Sequence, residues 1–245
     1  MSKFPTEVID LPSRGLVYPK EHPLSSGKVE IKYMTAKEED ILTSPNLIEK
    51  GIVLDKLLES LIVTEGVKLE DFVVGDKNTL LVSARILGYG REYPIKIGDD
   101  EVVVDLTTLK ERWIDEKNLV EKNKNEFKYT TPIGKNEITF SILDGHMEKK
   151  LEDLNKAYEK AGQSRELTNR YKLIIKSVDG KTERGEIDDF VDNLFMARDS
   201  MSFREYVNDI NPDIDFTTNV KMPDGTEQEV TVPMTVRFFW PNAQI

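Results

Sequence analysis

Few residue types in this chain could perform bond-making chemistry, and their spacing does not bring them together. The two histidines, His22 and His146, have no patterned Asp, Ser or Cys beside them, so a catalytic triad is not expected. The chain has no cysteine, which excludes disulfides, thiolate nucleophiles and thiolate metal sites. Any stabilisation must therefore come from packing.

Carboxylates are abundant, but their arrangement does not indicate acid–base catalysis. With 45 acidic residues in the chain, chance neighbours are inevitable. Runs such as Glu38-Glu39-Asp40 and Asp188-Asp189 are therefore interpreted as solvated helix faces. A hydrolase that uses two carboxylates stays an alternative, and a cleft with two carboxyl groups roughly 5 to 9.5 Å apart would distinguish it.

Two glycine-containing stretches superficially resemble ligand-binding loops. Gly88-Tyr89-Gly90 follows a predicted helix and lacks the third glycine of a dinucleotide fingerprint, which indicates a helix stop. The stretch 179–186 departs from a calcium loop, because Lys181 takes the place of an oxygen ligand and Arg184 replaces the turn glycine. We therefore expect no catalytic residue, no cofactor and no metal, and we predict that the chain is not an enzyme.

Charge and hydropathy limit the classes of partner. The net charge is −11, and no segregated basic stretch is present, so we expect no nucleic-acid binding. The longest apolar runs fall well short of the roughly 18 residues that a membrane span needs, so we expect no membrane insertion. The first residues show no basic region followed by an apolar stretch, so the sequence predicts synthesis and use in a cytoplasm.

The periodicity of apolar residues predicts an α+β fold. Helical spacing, caps and stop signals predict helices over 35–42, 45–50, 54–62, 76–87, 147–178, 187–195 and 202–210. Alternation and turn residues predict a strand over 29–33 and hairpins over 93–106, 127–143 and 214–232. These elements group into four predicted segments: an extended arm and first strand (1–33), a helical subdomain plus two hairpins (34–143), a helical bundle (144–211), and a C-terminal hairpin with an aromatic tail (212–245).

Apolar residues occur near both ends of the chain, where polar residues are more usual. Large apolar side chains can anchor an interface, because each aromatic ring buries roughly 150 to 250 Å². We therefore predict a partner-binding role for Leu11, Pro12, Arg14, Leu16, Tyr18, Phe238, Phe239, Trp240 and Pro241. The alternative is that both stretches fold back onto the core of their own chain.

Four spaced elements together resemble the baseplate hub subunit family of T-even-like contractile-tail bacteriophages. They are the stretch Leu11–Pro19, the stretch Met34–Leu42 with Ser44-Pro45, the stretch from Gly75-Asp76 to Gly90, and the closing Phe238-Phe239-Trp240-Pro241. The resemblance extends over most of the chain. Relatives often carry cysteine pairs that look like small zinc ribbons, and this chain has none, so its hairpins must be held by apolar packing.

The resemblance implies a structural component of a contractile-tail baseplate hub. Its implied partners are other phage tail proteins, namely hub, spike, tail lysozyme or tape-measure proteins, in a hetero-oligomeric assembly. Its implied location is the host cytoplasm during assembly and then the tail baseplate of the virion. The alternative is a transient tail or hub assembly chaperone that is absent from the mature virion.

Overall fold

The structure is a computed structural model, and it describes residues 5–239. Its strands are β1 Thr6–Asp10, β2 Lys28–Lys32, β3 Glu92–Ile97, β4 Asp100–Asp105, β5 Lys110–Arg112, β6 Phe127–Thr130, β7 Glu137–Phe140, β8 Ile175–Val178, β9 Asp213–Asp215, β10 Thr217–Lys221 and β11 Glu227–Thr231. Its α-helices are α1 Ala36–Leu42, α2 Pro45–Glu49, α3 Val53–Leu61, α4 Val74–Tyr89, α5 Gly145–Lys160, α6 Glu166–Ile174, α7 Arg184–Asp189, α8 Ala197–Ile210 and α9 Val236–Phe239. Helices and small antiparallel sheets are thus mixed along the chain, which confirms the predicted α+β class.

The sheets are small and antiparallel. Strands β3 and β4 form one hairpin, and strands β10 and β11 form another, both where turn residues predicted them. Strand β6 pairs with β7 as predicted, with Phe127 opposite Phe140. Strands β5 and β9 also pair, although about a hundred residues separate them, and the short alternation in each did not predict this pairing.

The predicted helix over 147–178 is wrong beyond Ile174. There α6 ends, and β8 adds a third strand to the sheet of β6 and β7, with Val178 opposite Ile138. Apolar residues at a spacing of three and four do not by themselves distinguish a helix from a short strand, and the free edge of β7 decides the outcome. The region 144–211 is therefore not a continuous helical bundle, because a strand divides its helices.

Capping and stop residues in the sequence correctly predicted the helices in the first half of the chain. The capping box at α1 is present, since the Glu38 carboxylate accepts hydrogen bonds from the Thr35 backbone N–H at 2.9 Å and the Thr35 hydroxyl at 2.6 Å. Pro45 opens α2, and Gly51, with φ of 70°, follows its end. Asp76 lies inside the first turn of α4, and its carboxylate is turned into the core instead of capping the helix.

Within the predicted extended arm of 1–33, the residues that the structure describes, from Pro5 on, are instead part of the folded body. Strand β1 pairs with β2 along its whole length, from Thr6 opposite Lys32 to Asp10 opposite Lys28. Between these strands the chain turns through buried residues that belong to the same hydrophobic core as the rest of the described residues. The four predicted segments therefore share one core, because strand pairs and packed side chains cross their boundaries.

Candidate partner-binding surface

A buried carboxylate holds the N-terminal segment against α4. Asp76 is fully buried, and its Oδ1 accepts a hydrogen bond from the Ser13 N–H at 2.9 Å. Its Oδ2 accepts from the Ser13 hydroxyl and from the Tyr18 hydroxyl, each at 2.6 Å. The Tyr18 hydroxyl also accepts from the Val73 N–H at 3.1 Å. The network therefore joins residues about 60 positions apart in sequence and satisfies their buried polar groups.

Burial dominates the ionisation of this network. Burial raises the pKa of Asp76 to about 6, although the hydrogen bonds from Ser13 and Tyr18 lower it in part. Among the described residues, no Lys or Arg forms an ion pair with this carboxylate. Burial, with the negative charge of Asp76, also raises the pKa of Tyr18 well above its usual value. The site is therefore a hydrogen-bonded anchor without a counter-ion.

Replacing Tyr18 with phenylalanine should measure this anchor. The change removes the hydroxyl that bridges Asp76 and the Val73 N–H, so we expect the free energy of unfolding to fall by about 1 to 3 kcal/mol. Urea denaturation measures the difference. Tyr158→Phe is the matched control, because the Tyr158 ring contacts Arg165 but its hydroxyl is not part of this network. Equal losses in the two variants would contradict the anchoring role.

The prediction that the apolar side chains of this segment bind partners is corrected by their burial. Leu11, Pro12, Leu16 and Tyr18 are buried in the core of their own chain. The alternative interpretation, folding back onto the core, is what the structure shows. Apolar side chains near a terminus pack on their own chain when a neighbouring strand pair and a buried polar anchor bring them there.

Among the members of the predicted set that the structure describes, Arg14 stays on the surface. Its guanidinium lies 5.6 Å from the ring centroid of Trp113, whose side chain is 39% exposed. At this distance a cation and an aromatic ring attract each other. Trp113 itself was not among the predicted site residues, because nothing in the sequence links it to a segment about a hundred positions earlier. We call Arg14 and Trp113 the Arg14–Trp113 surface.

The backbone beneath this surface is tightly constrained. Arg14 has a φ of 52°, which non-glycine residues adopt uncommonly, and Gly15 follows with a φ of 74°. A Cβ on Gly15 would lie 2.4 Å from the Ser25 carbonyl oxygen, so only glycine fits. The Ile114 N–H donates to the Pro12 carbonyl at 3.0 Å and fixes the adjoining chain. The backbone that carries these two exposed side chains is therefore conformationally constrained.

The described part of the aromatic tail also belongs to the core. Phe238 and Phe239 are buried, and the Phe238 ring centroid lies 5.4 Å from that of Tyr93. Buried Arg85 donates from Nε to the Phe238 carbonyl at 2.9 Å and holds α9 against α4. The predicted partner-binding role of these two phenylalanines is therefore corrected in the same way. Trp240 and Pro241 lie outside the described residues.

The fold brings the two histidines to one carboxylate, which the sequence pattern did not indicate. His22 Nε2 lies 3.4 Å from Asp71 Oδ2, and His146 Nε2 lies 3.5 Å from Asp71 Oδ1. The sequence pattern placed no Asp beside either histidine, and the shared Asp71 comes from packing of distant segments. The Leu24 N–H donates to His22 Nδ1 at 3.2 Å, so neutral His22 carries its proton on Nε2.

This histidine cluster lines a cleft of about 520 Å³ together with lysine and acidic side chains. A search of the described residues finds no group of three or more His, Cys, Asp or Glu side chains placed to hold a metal ion. In this cluster His22 caps the 3₁₀ segment Pro23–Ser26, Asp71 ends the 3₁₀ segment Leu69–Asp71, and His146 lies in the first turn of α5. Its contacts are therefore best explained as tertiary cross-links between distant segments.

No helix within 5–239 is both long and apolar enough to cross a bilayer. Comparisons of the chain with protein-family models, with curated proteins and with solved structures found no match.

Proposed function

We propose that this chain is a structural component of a contractile-tail baseplate hub that binds neighbouring hub, spike or tape-measure proteins. The four sequence elements that resemble the hub family support this role. Two of them, the segment with Arg14 and the start of α4, meet at the buried Asp76 anchor, so their residues serve one feature of the fold. Binding of other tail proteins is then the activity, and no reaction is assigned to the chain.

The observation that carries the binding proposal is the Arg14–Trp113 surface. Trp and Arg are enriched among the residues that dominate binding energy at protein interfaces. Here a large ring that would be buried in most folds stays 39% exposed, with a guanidinium stacked on it. Because the underlying backbone is ordered, a partner would lose little conformational entropy on this side when it binds.

Replacing Trp113 with alanine should weaken incorporation into tail particles. We expect a loss of about 2 kcal/mol of binding free energy, or roughly thirtyfold in affinity, because the change removes the anchor of the surface. The measurement is quantitative mass spectrometry of particles assembled with the variant as the sole copy of this chain. Val103→Ala is the matched control, because Val103 is 56% exposed on β4 and lies outside this surface.

The same experiment separates the proposed role from its alternatives. Stoichiometric chain in purified wild-type particles supports a structural subunit, whereas presence in infected lysate with absence from particles would indicate a transient assembly chaperone. If Trp113→Ala is incorporated as well as Val103→Ala, and both variants keep the wild-type melting temperature, the Arg14–Trp113 surface is not the binding site.

A further inference from the structure

A second surface carries positive charge that the acidic chain does not neutralise. Helices α6 and α8 flank a cleft of about 260 Å³ that is lined by Arg170 from α6 and Arg204 from α8. Both arginines are exposed. Neither forms an ion pair with a carboxylate anywhere in 5–239, although acidic residues outnumber basic ones by 45 to 34. Two unpaired guanidinium groups in one cleft indicate a binding site for an anionic group.

The spacing between the two arginine-bearing helices is fixed by a buried contact. The Tyr171 hydroxyl lies 2.9 Å from the Ser200 hydroxyl and 3.1 Å from the Ser200 carbonyl oxygen, which joins α6 to α8. Burial raises the pKa of Tyr171, and its hydrogen bond with Ser200 and the positive charges of Arg204 and Arg170 act against this rise. The cleft is therefore formed before any ligand binds.

The floor of the cleft is apolar. Leu143 and Ile174 are buried there, and Val207 is partly buried beside them. One carboxylate, Asp213, also lines the cleft. Its Oδ1 accepts hydrogen bonds from the Asn78 side-chain amide at 2.9 Å and from the Ile214 N–H at 2.8 Å, and it forms no ion pair with either arginine among the described residues. An apolar floor below two cations suits a ligand with both a carboxylate and a hydrophobic group.

The cationic surface continues beyond this cleft. Arg170 also lines a wider depression of about 850 Å³ at the start of α6, together with Arg165 and the exposed Leu167. Arg165 stacks on Tyr158, with its guanidinium 5.3 Å from the ring centroid. Two acidic residues, Glu166 and Asp192, also line this depression, and Asp192 is paired with Lys172 at 2.5 Å. Three arginines thus lie along one path through two adjoining depressions that share Arg170, with apolar side chains in each.

We propose that this path, the α6–α8 arginine cleft, binds an acidic peptide segment of a partner protein that alternates carboxylate and apolar side chains. The inference goes beyond the hub role and does not depend on it. A short peptide fits better than a nucleic acid, because a net charge of −11 repels a long polyphosphate and the cleft offers apolar floor instead of a continuous basic track. Arginine and carboxylate can pair in a bidentate geometry that selects such a segment.

The test uses the purified full chain and a fluorescent peptide of alternating Glu and Leu, with binding followed by anisotropy. The reversal variant R170E/R204E should bind this peptide at least about tenfold more weakly than the wild-type chain, because attraction at the cleft becomes repulsion. Wild-type affinity should also fall when the salt concentration rises from about 50 to about 300 mM. Arg198→Glu is the matched control, since Arg198 is exposed on α8 and does not line either depression.

Several outcomes would overturn the inference. They are no binding of the Glu–Leu peptide at roughly millimolar concentration, equal binding of the peptide with Gln in place of Glu, and equal weakening by Arg198→Glu. Stronger binding of an oligothymidylate than of the peptide would assign the cleft to nucleic acid instead. Melting temperatures of all variants separate loss of binding from loss of folding. Failure here leaves the particle experiment on Trp113 unaffected, so the two proposals can fail separately.

Discussion

Replacing Gly75 with alanine is expected to lower the free energy of unfolding by about 3 to 5 kcal/mol. Gly75 lies in the first turn of α4, and a Cβ there would be 1.7 Å from the Pro212 carbonyl oxygen and 2.9 Å from Asp213 Cα. These are backbone atoms, so rotation of a flexible side chain cannot relieve the overlap. The start of α4 and the chain leading into β9 would have to move apart.

Gly185→Ala is the control for this prediction. Gly185 is also helical, in α7, and a Cβ there would meet no atom within 4 Å. Alanine has the higher helix propensity, so this variant should be neutral or more stable by up to about 1 kcal/mol. Urea denaturation of both variants measures the effect. A Gly75→Ala chain as stable as Gly185→Ala would show that α4 and the Pro212–Asp213 backbone are not in such close contact.

The second large effect is a dependence of stability on pH that comes from Asp76. The folded-state pKa of about 6 exceeds the unperturbed value of 3.8, so the folded chain binds a proton more readily than the unfolded chain. Stability from this group is therefore fully present below the unfolded pKa and is lost as pH rises through about 6. The whole change amounts to about 3 kcal/mol, at about 1.4 kcal/mol per pKa unit.

Asp76→Asn isolates this contribution, because the amide does not ionise. When the pH is lowered from roughly 7.5 to roughly 5, the free energy of unfolding of the wild type should rise by about 1.4 kcal/mol relative to that of D76N. Asp224→Asn is the control, since hydrogen bonds from Thr226 lower the pKa of exposed Asp224 below its usual 3.8, so Asp224 stays ionised over this range and its difference should not change. A difference for D76N that does not change with pH would contradict a buried, titrating carboxylate.

Much of the secondary structure could be predicted because its signals are local. The capping box at Thr35, the proline at the start of α2 and the turns of the β3–β4 and β10–β11 hairpins each act within a few residues. The prediction failed where a strand needed a distant neighbour. Strand β8 forms because the edge of β7 is available, and β5 pairs with β9, which lies about a hundred residues further along the chain.

The candidate site was predicted only in part. Arg14 was identified from its position in an apolar segment, but its stacking partner Trp113 was not, because no periodicity connects the two residues. The apolar character of Leu11 and Phe238 was recognised, but not that both are buried in their own core. Hydropathy reports that a side chain avoids water, and it does not report which surface will cover it.

By itself the sequence determined the α+β class, most helix and hairpin positions, and the absence of cysteine chemistry. These follow from composition and from interactions between residues close along the chain. The tertiary structure alone decided that Ser13 and Tyr18 meet Asp76, that two histidines share Asp71, and that Arg170 and Arg204 line one cleft. Such contacts depend on how distant segments pack around a common core, and patterns of neighbouring residues do not predict that packing.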